Sequence, residues 1–111
     1  MTSQLVVENR LVQVLGYFGE PMKVLEEAIN RFAAEHCREK IAGIRDNLTK
    51  FERKYGLPLD RFQNKIETEE GFAEYVEKDI EKMWESDLME WEFETEELER
   101  WERILEHISK R

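Results

Sequence analysis

Cys37 to Tyr55, CREKIAGIRDNLTKFERKY, carries apolar residues at Cys37, Ile41, Ile44, Leu48, Phe51 and Tyr55. The steps alternate four and three, so one apolar residue recurs about every 3.5 positions, as in a heptad seam. The intervening positions hold Arg38, Glu39, Lys40, Arg45, Asp46, Lys50, Glu52, Arg53 and Lys54. A stripe this narrow on a charged helix must be covered by a second helix, from the same chain or from a partner.

The helix extends upstream of this stretch. Pro21 suits a first helical position, where its missing N–H costs nothing, and Glu20, Glu26 and Glu27 suit the positive end. Val24, Leu25, Ala28, Ile29, Phe32 and Ala33 continue the apolar pattern. From Phe32 to Cys37 the step is five, so the stripe shifts near His36, where the helix either bends or exchanges one packing partner for another. Gly56 and Pro58 end it, giving a predicted helix over 21–55 of roughly 50 Å.

On the N-terminal side, SQLVVE (3–8) reads as a strand or a first helical turn. Asn9 is a candidate N-cap for a short helix through about Leu15, and Gly16-Tyr17-Phe18-Gly19 reads as a turn. On the C-terminal side, Leu59, Phe62 and Ile66 mark a short helix. Thr68 is a candidate cap for a segment running to about Ile108. Its stripe passes through Phe72, Val76, Ile80, Met83/Trp84, Leu88, Trp91, Thr95, Leu98, Trp101 and Leu105. Ser86-Asp87 is a candidate break, because both residues favour caps. The expected fold is all-α: one single helical domain over 1–111, its long central helix packed on C-terminal helices. Residues 1–56 form an N-terminal dimerisation and long-helix part, and residues 57–111 an acidic, Trp-bearing part.

Composition narrows the function. The 111 residues include 39% charged positions, five Gly and two Pro, which favours long helices. The net charge of −9 is unevenly distributed. Residues 1–66 hold eleven Lys and Arg against nine Asp and Glu, whereas residues 67–111 hold six against seventeen. An acidic helical surface is either simply solvated or suited to a basic protein. The single cysteine, Cys37, allows no internal disulfide, and neither a membrane span nor a signal-peptide pattern is recognisable, so a cytoplasmic location is the default expectation.

No nucleophile elbow, phosphate loop or dinucleotide fingerprint occurs, so no enzymatic activity and no cofactor are expected. His36 and Glu39 share a helix face, but a metal site would need further ligands and His107 is the one other histidine. Trp84, Trp91, Phe93 and Trp101 stand in an acidic background with Glu90 and Glu94. Aromatics at helical spacing mostly face inward; the alternative is that they anchor a partner. Phe93 leaves the stripe set by Trp91 and Thr95 and is the best candidate for an exposed anchor. The basic residues of 38–54 are interleaved with acids and form a weak nucleic-acid patch.

The order SQLVVE, NRLVQVL, GYFG and the helix pattern Val24 to Phe32 resembles the ribbon-helix-helix antitoxins and repressors. The stretch Phe51 to Leu59 and the segment WESDLMEW (84–91) are similar to small acidic antitoxin-like proteins of archaea and cyanobacteria. The resemblance implies a homodimer, two N-terminal strands paired across it to read DNA, and an acidic half that masks a small basic toxin. The reading face would hold Gln4, Val6 and Glu8 or Ser3, Leu5 and Val7, and neither set is basic. Ile41, Ile44, Leu48, Phe51 and Tyr55 would form the seam of the dimer or of the chain's own core. A self-contained helical scaffold and a DNA-binding repressor are the alternative readings.

Overall fold

The computed structural model describes residues 4–109, which form five helices and, among those residues, no strand. They are α1 (Asn9–Gly16), α2 (Pro21–Tyr55), α3 (Leu59–Thr68), α4 (Phe72–Asp79) and α5 (Trp84–Ser109). The long helix has the predicted limits. Glu20 caps its start by accepting a hydrogen bond from the Lys23 N–H at 3.0 Å, and Pro21 occupies the first turn. Gly56 ends it at φ 74°, a left-handed conformation that a side chain would oppose, and its N–H donates to the Glu52 carbonyl.

Three local expectations are corrected. Asn9 is the first residue of α1 rather than its cap, a place taken by Glu8. Thr68 closes α3 instead of opening the next helix, because its hydroxyl donates back to the Asn64 carbonyl at 2.7 Å. Gly71, at φ 83°, makes the turn into α4. The last segment breaks at residues 80–83, not at Ser86-Asp87. There the Glu81 carboxylate accepts the Met83 N–H at 3.1 Å, and Asp87 sits inside the first turn of α5. Residues 4–8 are neither helix nor strand, and Ser3 lies outside the described residues.

The heptad seam of α2 is covered from within the same chain. α5 runs back antiparallel along α2, tied by Lys54 to Asp87, Asn47 to Glu94 and Arg45 to Glu102. α3 and α4 close the end of this hairpin over a core of Tyr55, Phe62, Val76 and Trp91, with Leu48, Phe51, Leu57, Trp84 and Leu88 packed around it. Leu48 of the seam is thus packed against a core that includes Val76 and Trp91 of the C-terminal helices. The core is aromatic. The Trp91 ring stacks at 5.6 Å on Phe51 and 5.7 Å on Tyr55, and meets Phe62 at 5.5 Å.

α5 is about 39 Å long and α2 about 52 Å, so α5 leaves the N-terminal turns of its partner uncovered. The remaining turns of α2 carry α1 and extend away from the body. The molecule measures 67 × 26 × 20 Å, with a radius of gyration of 21.9 Å. A compact domain of this length has a radius of gyration of about 13 Å.

Candidate functional site

The two ends of α2 present different surfaces. At about 100° per residue, Met22, Leu25, Ile29 and Phe32 lie on one face of the helix. Cys37, Ile41, Ile44, Leu48, Phe51 and Tyr55 lie on another, rotated by roughly a quarter turn. This is the stripe shift at His36, and its outcome is an exchange of partners: the second stripe faces α5, and the first faces α1 and solvent. His36 marks the boundary, its ring 4.2 Å from that of Phe32 and its Nδ1 4.0 Å from Glu39.

The arm, residues 4–33, leaves its apolar side chains in water. Leu5, Val6, Leu11, Val12, Val14, Met22 and Ile29 are exposed, as are Tyr17 (82%), Phe18 (78%) and Phe32 (65%). Together their exposed surface is on the order of 1,000 Å², spread over α1, the turn and the first turns of α2. A groove of about 440 Å³ opens among them, lined by Leu5, Val7, Val12, Leu15, Met22 and Leu25. The arm carries four Glu against three Lys and Arg, so it is nearly neutral.

In the body, the predicted seam residues form the intrachain core: Ile41 and Tyr55 are buried, while Ile44, Leu48 and Phe51 are half-buried. Of the two readings of this seam, dimer or core, the fold takes the core one, with α5 packed along α2. The tryptophans follow the inward reading to different degrees. Trp91 is 1% exposed, and Trp84 and Trp101 are half-buried. Trp84 lies edge-on to Phe62 at 6.3 Å, and the Arg100 guanidinium lies 5.3 Å over the Trp101 ring. Glu94 also points inward, accepting from the Asn47 amide at 3.1 Å. Phe93 and Glu90 remain at the surface, as expected.

One polar cluster locks the body. Lys54 Nζ reaches Glu81 at 2.6 Å and Asp87 at 2.7 Å, and the Tyr55 hydroxyl donates to the same Asp87 oxygen at 2.6 Å. Burial pushes the Tyr55 hydroxyl well above its ordinary value, and the Asp87 carboxylate adds to the shift. Burial also pushes Asp87 up, but the hydrogen bonds from Lys54 and Tyr55, with the Lys54 charge, outweigh it and hold Asp87 below the usual carboxylate range. The hydrogen bonds to Asp87 and Glu81 raise Lys54. This cluster joins the end of α2 to the start of α5, and was missed in the sequence because its members lie about thirty residues apart.

A groove of about 650 Å³ between α2 and the last turns of α5 is lined by Arg38, Arg45, Asp46, Glu102 and Glu106, and Arg45 is already paired with Glu102 at 2.7 Å. Among the described residues no group of three or more His, Cys, Asp and Glu is arranged to hold a metal ion, and no helix is long and apolar enough to cross a membrane. No family profile, no curated protein and no solved structure matches this chain.

Proposed function

We propose that the protein is a non-catalytic, antitoxin-like interaction module. Its arm pairs two copies, and its acidic body masks a small basic protein. The observation that carries this reading is the apolar arm. A folded monomer of this mass exposes about 6,500 Å². This chain exposes 9031 Å² at 13.4 kDa. The excess is of the size that obligate homodimers bury.

A second copy fits the arm for two further reasons. The arm is nearly neutral while residues 34–111 carry a net charge of −8 (fourteen Lys and Arg against twenty-two Asp and Glu), so two copies repel least when they meet through their arms. The exposed Phe32 and the groove at Met22 and Leu25 lie on one face of α2, about 10 Å apart along the helix. Two antiparallel arms would insert each Phe32 near the other's groove, which is the self-complementarity that a twofold interface requires.

The masking half of the reading rests on the acidic body and on its resemblance to acidic antitoxins. Occlusion would work by charge complementarity and contact, not by catalysis. Co-expression with the product of a neighbouring small gene tests it. The expected result is a stable complex and relief of growth inhibition; separate elution together with unrelieved inhibition refutes it.

A further inference from the structure

From the outward face of α5 we infer that the masked segment is a cationic amphipathic helix, seated on Met89 and Phe93. This rests on the interaction-module reading and assigns the surface and chemistry of its partner. Within α5, Trp91, Thr95, Leu98 and Leu105 point towards α2, and Met89 and Phe93 lie one turn apart on the opposite side. Both are exposed, Met89 at 72% and Phe93 at 60%. Neither contributes to the core of the body. An exposed methionine beside an exposed phenylalanine makes an adaptable apolar contact, able to accept aliphatic side chains of several shapes.

Charge identifies the occupant. Residues 84–99 hold eight carboxylates and no Lys or Arg. Four are engaged within the chain: Asp87 with Lys54, Glu92 with Gln63, Glu94 with Asn47 and Glu97 with Arg100. The other four, Glu85, Glu90, Glu96 and Glu99, are exposed and have no ion-pair partner among the described residues. Glu85 and Glu96 share the face of Met89 and Phe93, and Glu90 and Glu99 flank it on either side. Lys82 and Arg100 bound this acidic stretch. Nucleic acid and anionic membrane surfaces are repelled here. A helix with an apolar stripe between Lys and Arg rows satisfies both the apolar centre and the acidic rim.

The test uses the full chain and two synthetic peptides of identical composition, about 18 residues long. One carries Leu at helical spacing on one face and Lys on the other; the second is a scramble without that periodicity. The patterned peptide is expected to bind in a salt-dependent manner, to shift the amide resonances of residues 85–99, and to bind at least about tenfold more tightly than the scramble. Met89→Ser with Phe93→Ser is expected to weaken binding by about tenfold or more while leaving the thermal transition in place, since neither side chain is in the core. Equal binding of the scramble overturns the assignment, as does binding that survives the double substitution. Shifts confined to residues 5–32 overturn it too, while leaving the interaction-module reading intact. A chain that binds neither peptide and sediments as a monomer overturns both.

Discussion

The two ends of α2 are built from similar residues and meet opposite fates. In the body, Phe51 and Tyr55 stack on Trp91, and α3 and α4 close over them. In the arm, Phe32 stands in water, as do Tyr17 and Phe18, and α1 covers only part of the helix. Helix propensity does not separate the ends, because α2 is continuous through both. What separates them is the direction of the apolar stripe and the length of α5. The body is stabilised by its own chain; the arm leaves apolar surface uncovered.

The contrast predicts a graded set of responses to substitution. Trp91→Ala should cost about 3–5 kcal/mol, because it empties the centre of the only aromatic core among the described residues. Calorimetry of the full chain should show the transition lost or strongly lowered. Phe32→Ala, also a large aromatic truncation but in the arm, should change the unfolding free energy of a dissociated chain by no more than about 0.5 kcal/mol. A large loss at Phe32 under dissociating conditions would erase the distinction between arm and body.

Asp87→Asn should be intermediate, at about 1–3 kcal/mol, since it removes the negative charge on the acceptor that Lys54 and Tyr55 share. The same cluster sets a pH dependence. The folded pKa of Asp87 lies below its ordinary value. Its stabilisation is therefore present above that ordinary value, near pH 4, and is lost as pH falls through the folded value. Melting temperature should fall on acidification, and Asp87→Asn should flatten that fall. An identical acid profile in the variant would show that the cluster does not hold α5 to α2. The smallest effect is expected at Met89 and Phe93, where substitution to Ser should leave stability within about 0.5 kcal/mol and change partner binding alone.

Much of this architecture was legible in the chain itself. The limits of α2 followed from Pro21 and Gly56, two residues whose backbone demands are strong and local. The five-residue step at His36 marked the point where arm and body part. The break between α4 and α5 was misplaced because Ser86 and Asp87 look like caps, whereas Asp87 is committed to Lys54 across the hairpin. That commitment is tertiary and leaves no local pattern. The tryptophans drew attention as anchors in an acidic background, yet Trp91 is the most enclosed aromatic of α5 and the exposed contact passes to Met89 and Phe93. Helical spacing already sets Phe93 apart from the Trp91–Thr95 stripe, and the same spacing adds Met89, one turn away on that side. The openness of the arm was not readable, because it depends on where α5 ends relative to α2.

Sedimentation equilibrium of the full chain and of a Phe32→Asp variant tests the pairing of arms most directly. The parent chain should be a dimer. The variant should be a monomer whose helical content and core tryptophan emission match those of the parent. A parent chain that stays monomeric at high concentration contradicts the account, as does a dimer that persists undiminished with Asp at position 32.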